Sequence, residues 1–353
     1  MKILLATHVF SPSIGGIESS SLDLALAFVR SGHEVQVLTQ TASNHPDDDK
    51  DLKVIRRPGM QEMFRALNWC DVFFQNNISL QTAWPMIFSR KPWVVCTQTW
   101  IRNSDGSIGT GTRLKRLALR RATNVYISNA VRDHVGYAGS VIPNPYDSLT
   151  FRLMPEVKRE RSLVFLGRLV SDKGCDLLIQ SLAGLRSRGF MPHLTIIGTG
   201  SEEDALKEMV AEEKLDDQVH FVGALKGEAL AKELNRHQVM VIPSRWEEPF
   251  GIVALEGIAC GCLVVGSENG GLPEAIGPCG VTFQNENVAE LYQAIQKVFE
   301  KREMIQRSPE IISNHLNRHR VEVIAAQYLE IFKSLCPKNQ QEPGFQAIKK
   351  QAH

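Results

Sequence analysis

Short apolar runs alternate with helix-length segments along almost the whole chain, and this alternation limits the fold more than any other feature. In the first part the runs are Ile3–Ala6, Val35–Thr39, Val54–Arg56, Val72–Phe74, Trp93–Cys96, Asn124–Ile127 and Val141–Pro143. Helical patterns over Ser20–Ser31, Met60–Asn68, Gln81–Phe88, Gly111–Ala122 and Ala130–Gly136 separate them. Such alternation means parallel strands joined by crossover helices. The connection Gln40–Lys53 is polar and acidic and reads as an exposed loop. The pattern breaks around Pro143-Asn144-Pro145, and Asp147–Ser162 is charged and without period. It resumes at Leu163–Gly167 and repeats: helix Cys175–Ser187, strand Leu194–Ile197, helix Glu202–Glu213, strand Val219–Val222, helix Glu228–Arg236, strand Val239–Ile242. Strands at Leu263–Gly266 and near Val281–Phe283 follow, and helices Asn287–Lys301 and Arg320–Leu335 close the fold.

The expected organisation is therefore two α/β domains, each a Rossmann-like doubly wound parallel sheet. Residues 1–150 form the first, 151–162 a linker and 163–319 the second. A helix over 320–336 is expected to cross back to the first domain, ahead of a loose polar tail, 337–353. A length of 353 residues suits two domains. A chain of this size buries roughly three quarters of its unfolded surface, so it needs no disulfides. Ligands of doubly wound sheets bind outside the carboxyl ends of the strands. The chemistry is expected in a cleft between the two sheets.

The formal net charge of +1 argues against a nucleic-acid binder with a broad basic face. Seven scattered cysteines with no Cys-x-x-Cys pair point to a reducing, cytoplasmic setting without structural zinc. The start, MKILLATHVF, lacks the length and cleavage site of a signal peptide, and no run of about eighteen apolar residues exists.

The densest chemistry lies in Pro243–Glu274, PSRWEEPFGIVALEGIACGCLVVGSENGGLPE. Pro249 and Gly251 turn the chain into the apolar segment Ile252–Gly261, whose one charge is Glu256. A helix apolar on nearly all sides is buried, and a carboxylate inside it needs hydrogen-bond donors. The first amides of that helix form an anion site. A ribose diol could donate to Glu256. Glu248, in a polar loop beside Glu247, has the plainer alternative of a solvated side chain.

Three other loops follow strands. Ser11–Ser20 contains Gly15-Gly16, which allow close approach of backbone to a ligand at a helix start, or make an ordinary tight turn. Gly167–Gly174 contains Arg168 and Lys173, which could grip a diphosphate or be two solvated cations. Ile197–Leu206 contains Gly198-Thr199-Gly200, but Glu203 stands where a dinucleotide motif needs its third glycine.

These residues together resemble glycosyltransferase family 4. The resemblance covers nearly the whole chain, to about Leu335. It rests on Gly15-Gly16-x-Glu18, Gly167-Arg168 with Lys173-Gly174, Pro143-Asn144, and above all Glu-Pro-Phe-Gly at 248–251 with the second glutamate eight residues after the first. It implies a GT-B fold, a nucleoside-diphosphate-sugar donor of the UDP or GDP kind, transfer with retention of anomeric configuration, and no required metal or other cofactor. By the same resemblance Glu248 would contact donor-sugar hydroxyls and Glu256 the ribose. The backbone of Phe250, Gly251, Ile252 and Val253 would meet the diphosphate or the sugar. Arg168 and Lys173 would hold the diphosphate, and Gly15 and Gly16 would close on it from the first domain. The base would lie against Val222, Gly223 and Ala224 and the turn of Gly198 and Gly200.

One departure stands out. Many members have a histidine just after the strand that here reads WVVCTQTW; Gln98, or Thr97, holds that place. Neither can act as a base, but Gln98 can hydrogen-bond a sugar hydroxyl. A transfer in which the departing phosphate accepts the proton needs no base there. A nucleotide-sugar epimerase or hydrolase of the same fold, or a binding protein that has lost catalysis, remains the alternative. The acceptor is open; its site is expected around Gly15–Ser21, Asn76-Asn77 and Trp100–Gly111. The basic segment Gly111–Ala122 reads either as a solvated helix face or as a peripheral contact with an anionic membrane.

Overall fold

The computed structural model describes residues 1–13, 15–43, 52–102, 108–301 and 308–336. The middle of the acidic connection, part of Trp100–Gly111 and the tail 337–353 lie outside the described residues.

The first domain is a sheet of β1 (Lys2–Thr7), β2 (Glu34–Thr39), β3 (Lys53–Arg56), β4 (Val72–Asn76), β5 (Trp93–Thr97), β6 (Thr123–Tyr126) and β7 (Ser140–Val141). Their order is β3-β2-β1-β4-β5-β6-β7, all parallel. Its helices are α1 (Gly16–Arg30), α2 (Met60–Trp69), α3 (Leu80–Ala83), α4 (Thr110–Leu119) and α5 (Asn129–Val135). The second sheet has β8 (Arg161–Leu166), β9 (Leu194–Ile197), β10 (Val219–Gly223), β11 (His237–Ile242), β12 (Leu263–Ser267) and β13 (Gly280–Phe283). Its order is β10-β9-β8-β11-β12-β13, again all parallel. The helices here are α6 (Cys175–Arg186), α7 (Glu203–Glu212), α8 (Gly227–Asn235), α9 (Ile252–Ala259), α10 (Leu272–Ile276), α11 (Val288–Glu300), α12 (Pro309–Asn317) and α13 (Val321–Leu335). The central strands Ile3–Ala6, Val72–Phe74, Val94–Cys96 and Val239–Val241 are buried throughout. Parallel strands covered on both faces read as unbroken apolar runs, which is why the alternation was legible.

Two helices depart from the sequence expectation. Helix α1 begins at Gly16, four residues before Ser20. Ser20 and Ser21 look like loop residues, but their hydroxyls donate back to the Ile17 carbonyl at 3.1 and 2.6 Å and so sit within the first turns. The segment expected as helix Gln81–Phe88 is a short α-turn that tightens into a 3-10 turn over Trp84–Phe88, where Pro85 has no amide to give.

Chain direction puts both sheets' reversals of strand order where ligands bind. In the first domain the reversal lies between β1 and β4, and in the second between β8 and β11. Helix α13 leaves the second domain and packs on the first. Phe332 meets Phe28 with ring centroids 5.6 Å apart, and Tyr328 meets Phe74 at 4.9 Å. The Tyr146 amide donates to the His319 carbonyl at 3.1 Å, so both interdomain crossings run side by side. One core runs from the first sheet through α13 and α9 to one face of the second sheet; the other face has a core of its own.

Candidate active site

The two loops at the second domain's reversal point, Gly167–Gly174 and Pro243–Gly251, are locked backbone to backbone. Gly174 has φ +65°, and a Cβ there would land on the Pro243 carbonyl oxygen, so only glycine fits. Arg245 staples the pair: its guanidinium donates to both Asp176 oxygens at 2.7 and 2.6 Å and to the Ser171 carbonyl at 2.9 Å. The amides of Arg245 and Trp246 donate to the Asp172 carbonyl at 2.9 and 3.0 Å. This bracing sets Lys173 Nζ 2.6 Å from Glu248 Oε1, which also accepts from Ser244 Oγ at 2.9 Å. The side chains of Lys173 and Glu248 are 22% and 15% exposed, so the pair is sheltered yet still within reach of a ligand. After β12, Gly270 and Gly271 serve the same loop: the Gly271 amide donates to the Glu248 carbonyl at 2.7 Å, and a Cβ on Gly270 would fall on that oxygen.

A cleft of about 380 Å³ opens in front of this pair. Gly16, Ile17, Gln98 and Thr99 line it from the first domain, and Lys173, Ser244, Glu248, Phe250, Gly251, Ile252 and Val253 from the second. Gly251 has φ +101°, and a Cβ there would press on Leu272 at 2.6 Å, which fixes glycine at the turn into α9. Helices α1 and α9 begin on opposite walls, neither with a side chain capping its first turn. A Cβ on Gly16 would stand 3.4 Å from Ile252 Cδ1, so the two N-termini approach closely. Uncapped first-turn amides and the helix dipole make both starts attractive to an anion.

Glu256 stands one turn deeper on α9 and does not line the cleft itself. Burial, and next the charge of Asp147, push its carboxyl up to about 7. Among the described residues no donor bonds its carboxylate. The neutral acid is thus favoured in the fold. Its stabilising contribution is present below the ordinary value of about 4.5 and is lost as pH rises through about 7. Glu256→Gln should therefore stabilise the protein at pH 8 by about 2 kcal/mol and leave it unchanged at pH 4. Chemical denaturation at the two pH values checks this; an equal effect at both would refute the buried-acid reading.

Gln98 lines the cleft, but its amide is engaged with the protein. Asn144 Nδ2 donates to Gln98 Oε1 at 2.8 Å, and Gln98 Nε2 donates to Asn76 Oδ1 at 2.7 Å. Asn76 Nδ2 donates to Ser21 Oγ at 2.8 Å, and Ser21 Oγ to the Ile17 carbonyl. All donors in this buried chain point the same way, from Asn144 to the first turn of α1. Gln98 thus faces the cleft while both ends of its amide tie the wall together from behind.

The remaining sequence-predicted residues lie elsewhere. Arg168 is exposed, off the cleft lining, and makes no ion pair among the described residues. Cβ atoms on Gly198 and Gly200 would fall on the carbonyl oxygens of Gly167 and Leu169. These glycines thus let one loop lie against another, with the Leu169 amide donating to the Thr199 carbonyl at 3.0 Å. Val222 and Gly223 end the edge strand β10, where the Gly198 amide donates to the Gly223 carbonyl at 2.9 Å. None of these four lines the cleft. Gly15 adjoins it, with the Glu18 carboxylate folded back over it. Sequence reasoning missed Ser244, Arg245 and Ser128. Arg245 had a signal in Asp176, a carboxylate in the first turn of the next helix.

Residues 152–314 match the family described as glycosyl transferases group 1. Glycogen synthase of Mycobacterium tuberculosis is 37% identical over 140 residues, 39% of this chain and 34% of that protein. The chain thus spans about a third of the length of the first curated relatives it matches. A GDP-mannose-dependent monoacylated alpha-(1-6)-phosphatidylinositol monomannoside mannosyltransferase of Corynebacterium glutamicum is 25% identical, covering 83% of this chain and 87% of that one. Anabaena HepE, solved in complex with UDP, superposes with a TM-score of 0.77 at 20% identity, over 95% of this chain and 100% of that one. The fold is GT-B, two parallel-sheet α/β domains facing across a cleft.

Proposed function

We propose that this chain is a retaining glycosyltransferase that moves a sugar from a UDP- or GDP-linked donor to an acceptor hydroxyl and requires no metal. One observation carries this reading: two uncapped helix N-termini, at Gly16 and Ile252, meet beside the Lys173–Glu248 pair. Open amides and an ammonium suit a diphosphate, and a carboxylate next to them suits sugar hydroxyls. Glu256, without a donor of its own, suits the ribose diol. The sugar C1–O bond to phosphate breaks while the acceptor oxygen bonds C1 from the same face. The acceptor proton passes to the departing phosphate oxygen. Lys173 and the helix amides stabilise the charge that develops there, and Arg168, next to the lining residue Gly167, would have to swing in from solvent to join them. The UDP complex of HepE and the GDP-mannose dependence of the Corynebacterium relative support these two bases.

The first domain supports a peripheral membrane contact. From Val72 to Val131 the chain holds eight Lys or Arg, at 90, 91, 102, 113, 115, 116, 120 and 121, against one carboxylate, Asp105. Leu114 and Leu117 of α4 are 51% and 58% exposed, and Phe88, at the end of the 3-10 turn Trp84–Phe88, is 75% exposed. Apolar side chains among cations suit an anionic lipid surface, where each cation contributes about 1 kcal/mol. Among the described residues no helix is long and apolar enough to cross a membrane. The phosphatidylinositol-linked acceptor named for the Corynebacterium relative points the same way.

A thermal-shift screen of UDP- and GDP-sugars, followed by NMR of the product, tests the activity. One donor should raise the melting temperature and, from an α-linked sugar, give an α-linked product. Conversion of the donor alone to an epimer or free sugar would exclude the transferase, and an inverted product would exclude retention. The protein should sediment with vesicles one-third phosphatidylglycerol and not with pure phosphatidylcholine; equal behaviour would remove the membrane contact.

A further inference from the structure

The loop that carries Glu248 is held from the opposite domain. Three successive carbonyls, those of Glu247, Glu248 and Pro249, each accept one hydrogen bond. The middle one is tied within its own domain, to the Gly271 amide at 2.7 Å. The two flanking ones are tied to the first domain: Trp100 Nε1 donates to the Glu247 carbonyl at 2.6 Å, and Ser128 Oγ to the Pro249 carbonyl at 2.7 Å. Arg102 reinforces the first tie. Its guanidinium sits 3.1 Å from the Glu247 carboxylate and lies over the rings of Trp100 and Trp246, at 5.6 and 5.3 Å from their centroids. Glu274 reinforces the second. Its carboxylate accepts from the Asn129 amide at 2.8 Å and side chain at 2.7 Å, at the start of α5. Trp100 is buried against His134, and Ser128 is wholly buried.

None of these side chains hydrogen-bonds the Lys173 or Glu248 side chain or lines the cleft itself; Ser128 and Arg102 reach it through Pro249 and Trp246, which do. Their bonds fix the backbone on both sides of Glu248, and so the direction in which its carboxylate points. If the domains part, Trp100 and Ser128 leave with the first domain and two of the three carbonyl ties are lost together. We propose that Trp100 and Ser128 are positioning residues that set Glu248 from across the cleft, so that the sugar-facing carboxylate reaches its working place only when the domains are closed. This rests on the proposed glycosyl transfer. Its consequence is chemical: a donor bound in the open protein lacks an ordered Glu248, so its sugar is not activated before the acceptor domain has arrived.

Trp100→Phe removes one donor and keeps an aromatic ring for Arg102 and His134. Ser128→Ala removes the other, together with the cap that Ser128 provides to the Val131 amide at 3.2 Å. Each is measured with UDP-glucose, or with GDP-mannose if the thermal screen selects it, and for binding of plain UDP or GDP, which has no sugar for Glu248 to meet. The expected result is a fall in kcat of about 10- to 100-fold with nucleoside-diphosphate affinity within about twofold of the parent, since misplacement by an ångström can cost that much. In a Glu248→Gln background the same substitutions should cost at most about twofold more, because the group they position is already gone. A parallel fall in UDP or GDP affinity, an equal loss of kcat in the Glu248→Gln background, or unchanged kcat would each overturn the proposal. If Ser128→Ala unfolds, Trp100→Phe alone decides. Failure of the unsubstituted protein to transfer would instead count against the glycosyltransferase reading, which keeps the two outcomes apart.

Discussion

Lys173→Ala is expected to lower turnover by about 10²- to 10³-fold while leaving the protein folded. Two effects add. Among the described residues that line the cleft Lys173 is the one cation, so its loss removes charge from the departing diphosphate. It also holds Glu248 at 2.6 Å, so its loss leaves that carboxylate, among the described residues, with Ser244 as its remaining hydrogen-bond partner. The stability cost should be small, about 1 to 2 kcal/mol, because both side chains keep contact with solvent and an uncompensated Glu248 can be hydrated. Lys173→Arg should not restore the rate. A planar guanidinium cannot occupy the place of a compact ammonium between Glu248 and a phosphate without displacing one of them. Single-turnover measurement against denaturation midpoints separates the effects. Turnover unchanged in Lys173→Ala would remove Lys173 from the chemistry. Turnover lost only in proportion to unfolding would reduce it to a structural ion pair.

The parts of this site that were legible in the sequence are those in which one residue's own chemistry forces its surroundings. Glu256 is such a case: a carboxylate in an apolar helix announces burial, and its raised pKa of about 7 follows from that burial. The Glu-Pro-Phe-Gly turn is another, since Gly251 alone can take its φ of +101° beside Leu272. Gly198 and Gly200 show the opposite. Glycine reports that something comes close but not what comes, and the close approach at both is the backbone of the neighbouring loop. Trp100 and Ser128 were beyond reach for a related reason. They bond carbonyls 147 and 121 residues away in the chain, and a carbonyl carries no side-chain signature that would pair it with its donor. The central strands of the two sheets were legible because double burial leaves no polar alternation in the sequence. The fine contacts between the domains, which decide what closure does, depend on where two loops happen to meet.

Gln98 marks the place where the chain departs from the resemblance, and replacing it is expected to affect stability most. Gln98→Leu should cost about 2 to 5 kcal/mol, since it leaves Asn76 Oδ1 and Asn144 Nδ2 buried without their partners. The loss would also loosen the first turn of α1 through Ser21, so turnover should fall along with stability. Gln98→His is the more telling change. A neutral imidazole has one N–H donor and one acceptor nitrogen, the same complement that Gln98 uses toward Asn76 and Asn144. At pH 8 this variant should stay within about 1 kcal/mol of the parent if the donor–acceptor polarity of the chain is what matters. An imidazolium has no acceptor for Asn144, so the folded state favours the neutral ring and holds its pKa below the unfolded value of about 6.5. The stability contributed by that depressed pKa is present above about 6.5 and is lost as pH falls through the folded value. Gln98→Leu should show no such slope. Denaturation of the three proteins between pH 5 and pH 8 decides the matter. If the histidine variant is as weak as the leucine variant at pH 8, polarity is not the determinant. If neither is weakened, the chain from Asn144 to Ile17 is not what holds the cleft wall. A stable histidine variant with undiminished turnover would show that the residue differing most from the resemblance is one half of an exchangeable pair, chosen for the proton it donates and the one it accepts.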